Sequence, residues 1–401
     1  MSSYNASPIT NRLAKSISAL FVLLCGLTNQ ATAFDTSAKA AFVIDQTTGT
    51  ILLSKNADIA LPPASMSKLM TLYIAFEAVR DGRLRLEEEL PVSKYAMAYG
   101  GSTMFLNTTD RVKVEDLLRG IIVLSGNDAC AVIAEALSPT GTESGFASLM
   151  NQRAKQLGMA QSNFQNSNGW PAKNHFMSMR DLALLADLLI TEFPEFYPMF
   201  AENEFLFDGR AKSNIHNRNP LLGLGIGADG LKTGHTDEAG YGIVSSAKQG
   251  ERRIIFVLSG LDTARDRAEQ SEAIINWAFR QFAKHQIAEA DSVIASADVW
   301  MGAKRQVGLT TGSDLAILRP VFGDQSLVAE VVYQGPIEAP IKRGSVIAQL
   351  VLTTEGLPQQ YIPLLAAEDV AVGGLFERVM TSARVLIRSI SRARSLPKGD
   401  L

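Results

Sequence analysis

The sequence predicts an α+β fold, in which an antiparallel sheet covered by helices is followed by a small all-β sandwich domain and a C-terminal amphipathic helix. Three observations predict it. β-prone segments lie on both sides of a long helical stretch in the first part of the 401-residue chain. Short β-prone runs separated by Gly and Pro follow from about residue 285. An apolar stripe at helical spacing lies near the C-terminus.

The first domain is expected to span residues 34–284 and to begin with a hairpin. Two β-prone runs, at 39–45 and 50–54, flank a Gln-Thr-Thr-Gly turn. Helical patterns dominate from about residue 66 to 200, and strands return near 229 and run to 260. A further helix is expected at 268–284. Strands at both ends of a helical middle favour an antiparallel sheet covered by helices over alternating βαβ units.

The second domain is expected at residues 285–371. β-prone runs at 292–299, 327–332 and 345–353 alternate with Gly and Pro turns, as is typical of a small all-β domain. It contains no recognisable set of catalytic residues. We expect it to hold the first domain away from a membrane or to bind a partner.

The N-terminal segment predicts a signal peptide over residues 1–33. Arg12 and Lys15 precede a nine-residue apolar run at 19–27, and an Ala-Thr-Ala sequence at 31–33 fits a signal-peptidase site. The apolar run is too short to span a bilayer, which requires about 20 residues. The mature chain is expected to begin near Phe34. Losing the two basic residues changes the net charge from −3 to −5.

The tail at residues 372–401 predicts a basic amphipathic helix. Its apolar face comprises Leu375, Phe376, Val379, Met380, Ala383, Leu386, Ile387 and Ile390, and its opposite face Arg378, Arg384, Arg388 and Arg392. Between residues 375 and 398, five arginines and one lysine against one glutamate give a net charge of +5. Such a helix suits an anionic membrane surface. The alternative is a helix that docks on its own protein.

Composition excludes several classes of function. A net charge of −3 does not favour binding to nucleic acid. The four histidines are scattered without ligand spacing, and no Gly-rich phosphate loop is present, so we expect no metal and no cofactor. Because Cys25 lies in the predicted signal peptide, Cys130 remains alone and cannot form a disulfide within the mature chain. We expect it to be a small buried apolar residue.

A serine and a lysine three residues apart, Ser65 and Lys68, form the first candidate catalytic motif. Pro62 and Pro63 precede them, and a long apolar helix-compatible segment follows, so Ser65 is expected at or near a helix N-terminus. Residues three apart share a helix face and can touch. A serine hydroxyl needs a base, and lysine serves as one when burial and nearby positive charge lower its pKa.

Two further motifs follow, Ser125-Gly126-Asn127 and Lys232-Thr233-Gly234. Ser125 follows an apolar run that is typical of the end of a buried helix, and Gly126 suits a tight connection. Ser125 can relay a proton to a leaving amine, and Asn127 can hold a substrate amide or Lys68. The third motif opens a strand region, where a sheet edge can bind an extended peptide and Lys232 can attract a carboxylate.

Together the three motifs predict an acyl-transfer site for a short peptide with a free C-terminal carboxylate. The alternative interpretation makes Ser65 a helix cap, Lys68 and Lys232 surface residues, and Ser125 and Asn127 turn residues. The order of all three motifs favours the acyl-transfer site over this alternative.

In these motifs and their flanking sequence the chain resembles the low-molecular-mass penicillin-binding proteins that act as D-alanyl-D-alanine carboxypeptidases. The resemblance is carried by segments 61–70, 124–130, 229–241, 166–171 and 216–219. It covers nearly the whole chain. It implies a β-lactamase/transpeptidase-like catalytic domain with a β-sandwich after it. It also implies that the substrate is a peptidoglycan stem peptide and that β-lactam antibiotics are covalent inhibitors.

The resemblance implies catalytic roles residue by residue. Ser65 is the acylated nucleophile and Lys68 is its base. Ser125, Asn127 and Lys232 complete the proton network, and the last two also bind substrate.

It also implies a set of binding residues. Thr233 and Gly234 bind substrate along the strand. The backbone N–H of His235 forms the oxyanion hole with that of the nucleophile. Arg218 and Arg267 assist the substrate carboxylate. The alternative to carboxylate binding is that these two arginines are ordinary surface residues.

Two other functions remain open at the level of sequence. A serine β-lactamase shares the motifs but must hydrolyse its acyl-enzyme quickly. Class A enzymes use an additional glutamate for that step, and the sequence shows no clear counterpart. A non-catalytic penicillin-binding sensor or scaffold requires transmembrane helices and a cytoplasmic domain, which the sequence does not predict. The expected location is the periplasm, on the outer face of the inner membrane.

Overall fold

The computed structural model describes residues 34–322, 326–354 and 356–374. The predicted signal peptide and the predicted amphipathic helix from residue 375 onward lie outside these ranges.

The strands are β1 (Ala40–Asp45), β2 (Thr50–Lys55), β3 (Glu89–Pro91), β4 (Arg111–Lys113), β5 (Ala228–Thr236), β6 (Gly240–Gln249), β7 (Arg252–Leu261), β8 (Phe282–Ala288), β9 (Ala295–Trp300), β10 (Gln306–Thr310), β11 (Leu315–Pro320), β12 (Leu327–Val332), β13 (Ile337–Glu338), β14 (Val346–Thr354) and β15 (Gln360–Ala366). The α-helices are α1 (Lys68–Arg80), α2 (Lys94–Met97), α3 (Val114–Arg119), α4 (Asn127–Leu137), α5 (Glu143–Gln156), α6 (Met179–Glu192) and α7 (Ala264–Gln281). Shorter helical turns lie at Ala64–Ser67, Gly120–Leu124 and Tyr197–Ala201.

The first domain is built on a five-stranded antiparallel sheet of order β2-β1-β7-β6-β5. The predicted hairpin near the start of the domain is confirmed as β1 and β2, and the strands predicted from near residue 229 to 260 are confirmed as β5, β6 and β7. β5 is the edge strand and carries the third motif. Its free edge therefore offers unpaired backbone groups next to that motif.

Alternation along the central strand β7 explains why helices cover both faces of this sheet. Ile255 and Val257 belong to the core shared with α1, α4 and α6, whereas Ile254 and Phe256 belong to a second core shared with α7. Because successive side chains of a strand point to opposite faces, an almost continuous apolar run is buried on both sides. The predicted architecture of a sheet covered by helices is confirmed.

The helix that follows the sheet differs from its predicted bounds. It begins at Ala264, because Thr263 and Asp266 form a capping box, and it ends at Gln281 rather than at residue 284. Phe282 has extended backbone angles and begins β8, which pairs with β11. The first strand of the β-rich region thus starts before the predicted domain boundary.

The β-rich region contains a six-stranded sheet, β12-β14-β15-β10-β9-β13, and the two-stranded sheet β11-β8. Leu315 and Ile317 of β11 share one apolar core with the six-stranded sheet. The predicted run at 327–332 matches β12, whereas β10, β11 and β15 were not predicted. Leu318 and Leu357 pack instead with the core beneath α7, which joins this region to the first domain.

Candidate active site

The first motif places a serine hydroxyl on a lysine amino group. Ser65 lies in the short helical turn Ala64–Ser67, and Lys68 begins α1, so the serine sits at a helix N-terminus as predicted. Lys68 Nζ donates to Ser65 Oγ at 2.8 Å and to the carbonyl oxygen of Asn168 at 2.6 Å. Lys68 is completely buried. The contact therefore joins a candidate nucleophile directly to a candidate base.

Burial lowers the pKa of Lys68 from its ordinary value to about 8. The positive charge of Arg218 lowers it further, and the negative charges of Asp128 and Glu143 oppose the change. Cys130 also opposes it when ionised, but burial raises the pKa of this thiol to about 12, so the thiol is neutral near pH 8. About a tenth of Lys68 is consequently neutral at pH 7 and about half near pH 8, and this neutral form can accept a proton.

The second motif places a buried hydroxyl in a strained turn. The helical segment from Val114 to Leu124 ends at Ser125, whose backbone is left-handed with a φ of 61°. Glycine was expected at the tight position, but Gly126 has an ordinary φ of −58°. Ser125 is 2 % exposed, and its Oγ has no hydrogen-bond partner among the described residues. A non-glycine residue in this conformation is uncommon and frequent at functional sites.

Asn127 begins α4, and its side-chain amide donates to the carbonyl oxygen of Gly100 at 2.8 Å. Its backbone N–H donates to the carbonyl oxygen of Ser102 at 2.7 Å. Of the two partners that the sequence suggested, Lys68 is not the one observed, because its amino group donates to Ser65 and Asn168 instead. Asn127 thus fixes the 100–102 segment beside the site.

The third motif lies on the edge strand β5. Lys232 is 3 % exposed, and its Nζ donates to the carbonyl oxygen of Thr233 at 3.1 Å. Burial, followed by the positive charges of Lys68 and Arg218, lowers the pKa of Lys232 well below its ordinary value. The site consequently brings two lysines together and favours a negatively charged ligand.

Gly234 serves a purpose that the sequence did not reveal. A Cβ atom on Gly234 would lie 3.0 Å from the carbonyl oxygen of Pro63 and 3.0 Å from Met66 Cγ. The glycine therefore allows β5 to pack closely against the turn that carries Ser65. That Gly234 also binds substrate along the strand stays a prediction.

The next residue along β5, His235, is exposed, and its ring centroid lies 3.9 Å from that of Tyr241. The Arg267 guanidinium lies over the same Tyr241 ring, 5.6 Å from its centroid. Tyr241 therefore connects the predicted oxyanion-hole residue with one of the two predicted carboxylate-binding arginines.

Both arginines carried over from the family resemblance act on Lys232, and Arg218 also acts on Lys68. Arg218 is exposed and donates to Ser102 Oγ at 2.5 Å. Burial lowers the pKa of Arg267, the positive charge of Arg218 lowers it further, and Nε of Arg267 has no hydrogen-bond partner among the described residues. The positive charges of Arg218 and Arg267 also act on Lys232. Within the described ranges no carboxylate is bonded to these cations, which leaves a place for an anion.

The 166–170 loop is the part of the site that sequence reasoning did not assign. Its Asn168 carbonyl accepts from Lys68, and a Cβ atom on Gly169 would lie 1.9 Å from the carbonyl oxygen of Ala64. Gly169 also has a φ of 81°. Trp170, next along the loop, is 46 % exposed. The sequence signal for this loop is the Asn-Gly pair, a turn sequence within the 166–171 segment that carries part of the family resemblance.

In the described part of the chain, no three His, Cys, Asp or Glu residues are placed to hold a metal ion. In the same ranges, no helix is both long enough and apolar enough to cross a membrane.

A serine hydroxyl on a buried lysine, a second buried serine and a cationic pocket beside an open sheet edge together define a serine acyl-transfer enzyme. The sequence pattern described as D-alanyl-D-alanine carboxypeptidase matches residues 27–263, and the pattern of the penicillin-binding protein 5 C-terminal domain matches residues 282–372. The chain belongs to the D-alanyl-D-alanine carboxypeptidase family.

Individual relatives agree with this placement. The chain is 37 % identical over 350 residues to the D-alanyl-D-alanine carboxypeptidase DacC of Escherichia coli, an alignment covering 85 % of this chain and 86 % of that one. The crystal structure of penicillin-binding protein 5 from Haemophilus influenzae is similar, with a TM-score of 0.74, 32 % identity and coverage of 85 % of this chain and 99 % of that one. Penicillin-binding protein D2 from Listeria monocytogenes, solved with ampicillin bound, matches with a TM-score of 0.56 and 32 % identity over 62 % of this chain and all of that one.

Proposed function

We propose that this chain is a serine-type D-Ala-D-Ala carboxypeptidase that removes the terminal D-alanine of peptidoglycan stem peptides through an acyl-enzyme at Ser65. The observation that carries the proposal is the 2.8 Å contact between Lys68 Nζ and Ser65 Oγ, with Lys68 completely buried. A buried amine next to a hydroxyl is suited to remove its proton.

In the acylation step, Ser65 Oγ attacks the carbonyl carbon of the penultimate D-alanine, and its proton passes to neutral Lys68 Nζ. The peptide C–N bond of the tetrahedral intermediate then breaks. The leaving nitrogen of the terminal D-alanine takes the electron pair of that bond. Ser125 relays to it the proton held by Lys68, so D-alanine leaves with a neutral amine. The unpartnered, buried Oγ of Ser125 supports this role, since no other described group occupies it.

The oxyanion of the intermediate would be held by the backbone N–H groups of Ser65 and His235. Ser65 lies in the turn before α1, and His235 follows Gly234 on β5. The close approach that Gly234 permits between β5 and this turn supports the pairing. Each such donor contributes about 3 kcal/mol to lowering the barrier.

The substrate carboxylate would bind the cationic group of Lys232, Arg218 and Arg267, with Thr233 on the same strand. The peptide backbone would pair with the free edge of β5. After burial, the charge of Arg218 also lowers the pKa of Lys232 and of Arg267, and this repulsion supports an anionic ligand here, because a carboxylate would offset it.

Water would then hydrolyse the acyl-enzyme, with Lys68 accepting a proton from the water and the Ser65 oxygen leaving as a hydroxyl. β-Lactam antibiotics would acylate the same serine. The ampicillin-bound structure of the Listeria relative supports this inference. A fast β-lactamase finds no support in Glu143, a carboxylate near Lys68, because both its oxygens accept hydrogen bonds from Ser167, Tyr95 and Tyr99.

We also propose that the signal peptide directs the chain to the periplasm and that the basic tail attaches it to the outer face of the inner membrane. The apolar stripe and the net charge of +5 between residues 375 and 398 support the attachment. A chain ending before Gly374 is expected to leave the membrane fraction while its activity on a soluble peptide survives. If the truncated chain remains with the membrane, the anchor lies elsewhere.

The activity is tested by mass spectrometry of purified pentapeptide muropeptides incubated with the mature protein. Loss of one alanine from each pentapeptide is expected, and Ser65→Ala is expected to leave the pentapeptides intact. Unchanged pentapeptides in the presence of protein that still binds benzylpenicillin would contradict the proposed reaction.

A further inference from the structure

Glu143 is hydrogen-bonded to the 166–170 loop, called the active-site loop below, and both of its carboxylate oxygens accept hydrogen bonds. It is the first residue of α5 and is 6 % exposed. Its Oε1 accepts from the backbone N–H of Ser167 at 2.9 Å and from Ser167 Oγ at 2.5 Å, and its Oε2 accepts from the hydroxyls of Tyr95 and Tyr99, each at 2.5 Å. Four donors on two oxygens is the arrangement expected of an ionised carboxylate.

The same loop is bonded to α1 on its other side. The carbonyl oxygen of Ser167 accepts from Thr71 Oγ1 at 2.5 Å, and the next carbonyl, that of Asn168, accepts from Lys68 Nζ at 2.6 Å. One peptide unit therefore separates the group that Glu143 holds from the group that holds the lysine. Displacing this carboxylate would move the acceptor that fixes Lys68 Nζ against Ser65.

The two tyrosines act as donors and keep Glu143 in place. Burial raises the pKa of Tyr99, and its hydrogen bond to Glu143 raises it further. The same two causes raise the pKa of Tyr95. Both hydroxyls thus remain protonated throughout the range in which Lys68 titrates.

Several charged or titratable groups act on Lys68 or are acted on by it. They are Asp128 and Cys130 on α4, Glu143 on α5, Lys232 on β5, Arg218 in the 217–219 segment and His175 after the active-site loop. Because the Cys130 thiol is neutral near pH 8, the negative charges in this set that favour protonated Lys68 are those of Asp128 and Glu143. Glu143 alone of these two also holds the loop that contacts Lys68.

We propose that Glu143 is a positioning residue for Lys68: it holds the 166–170 loop so that the Asn168 carbonyl directs the lysine amino group to Ser65, and its charge is one of those that favour the protonated amine. This inference rests on the proposed role of Lys68 as the base. Among the described residues the hydrogen bonds of the Glu143 carboxylate come from Tyr95, Tyr99 and Ser167, and Ser65 is not one of its partners.

The test is the pH profile of the second-order rate constant for acylation by benzylpenicillin. Glu143→Gln keeps the shape of the side chain, and each tyrosine hydroxyl can turn to accept from the new amide. Loss of the negative charge destabilises protonated Lys68. The rising limb of the profile is therefore expected to move to lower pH by about half a unit. The plateau rate is expected to fall about threefold, because a weaker base is less effective.

Glu192→Gln provides the matched control. Glu192 also accepts from a tyrosine hydroxyl, that of Tyr73 at 2.7 Å, but it is not among the groups that act on Lys68. Its rising limb is expected to coincide with that of the unaltered protein. Glu143→Asp keeps the charge and shortens the reach, so its rate is expected to fall at every pH while the limb stays in place.

A limb that does not move in Glu143→Gln, or that moves equally in Glu192→Gln, overturns the inference. In Glu143→Gln, a loss of rate that is the same at every pH, with a lower melting temperature and an unmoved limb, would indicate a structural role only. If Glu143→Gln does not fold, Tyr99→Phe takes its place. Removing one donor leaves the carboxylate less compensated, so the limb is expected to move to higher pH, and an unmoved limb again overturns the inference.

Failure of the proposed function gives a different result. In that case the unaltered protein is not acylated at Ser65, or its acylation rate has no rising limb, and the variants are then not needed. If the unaltered protein shows the rising limb and the limb stays in place in the Glu143 variants, only the role proposed for Glu143 is rejected, and the proposed function stands.

Discussion

A Cβ atom on Gly169 would lie 1.9 Å from the carbonyl oxygen of Ala64, so the active-site loop and the nucleophile turn meet at a point where only glycine fits. Gly169 also has a φ of 81°, which residues with a Cβ rarely adopt. Asn168 is the residue directly before Gly169 in the chain. The hydrogen bond from Lys68 Nζ to the Asn168 carbonyl oxygen therefore depends on this close approach.

Gly169→Ala is therefore expected to reduce the acylation rate by at least about tenfold and to lower the free energy of unfolding by about 3 kcal/mol or more, combining left-handed strain with a backbone clash. Gly158→Ala is the matched control, because Gly158 has the same φ of 81° and nothing within 4 Å of an added Cβ. It is expected to cost only about 1–2 kcal/mol. Chemical denaturation and benzylpenicillin acylation measure both effects. Equal losses in the two variants would show that strain, and not the contact with Ala64, matters.

The pH dependence of acylation should follow Lys68. Its pKa is lowered to about 8, so the neutral, proton-accepting form increases as pH rises through that value. The acylation rate is expected to rise with pH and to level off above about pH 8. Stopped-flow measurements with a chromogenic cephalosporin give this profile. A rate that falls over the same range would contradict neutral Lys68 as the base.

Arg218→Gln should move that profile in the opposite direction from Glu143→Gln. The positive charge of Arg218 lowers the pKa of Lys68, so its removal raises that pKa and shifts the rising limb to higher pH. Repeating the measurement at several concentrations of the cephalosporin separates this pKa shift from weaker binding of the cephalosporin. A limb shifted to lower pH would mean that Arg218 acts on Lys68 other than through its charge.

Arg267→Gln is expected to lower kcat/KM for a peptide ending in free D-alanine by about 10- to 100-fold, the loss expected for a charge-assisted hydrogen bond. A peptide ending in D-alaninamide should lose much less, because it lacks the carboxylate. Arg265→Gln on the same helix is the control, since Arg265 pairs with Glu269 and its side chain is 84 % exposed. Equal losses for both peptides would place the effect of Arg267 in the fold.

Ser125→Ala removes the hydroxyl without changing the left-handed backbone. The variant should keep the stability of the unaltered protein, since alanine and serine are strained alike at a φ of 61°. Its acylation rate is expected to fall about 10²- to 10⁴-fold, the usual contribution of proton transfer. Thermal melting and acylation kinetics check the two parts. A rate near that of the unaltered protein would remove Ser125 from the proton path.

The parts of the fold that local pattern determines were predictable. The strands β1, β2, β6 and β7 were identified because their apolar runs are long and bounded by turns. β12 was found within its observed bounds for the same reason. By contrast, β11 ends in Pro320 and β15 contains Pro363, and a proline within a run argues against a strand. Those strands form through pairing with partners distant in sequence.

The site shows the same division. The contact between Ser65 and Lys68 is predictable from sequence because residues three positions apart lie on the same face of a helix. The role of Gly169 and the true neighbours of Gly234 could not, because each depends on a backbone from another part of the chain, near Ala64 and Pro63. The role of Glu143 is not predictable from sequence for a similar reason, because its partner Ser167 is 24 residues away.

The most direct test of the acyl-enzyme is peptide mapping by mass spectrometry after brief reaction with benzylpenicillin. The penicilloyl group is expected on the peptide containing Ser65, attached to the serine oxygen, with none in Ser65→Ala. Labelling of any other peptide, or labelling that persists in Ser65→Ala, would contradict the assignment of Ser65 as the nucleophile.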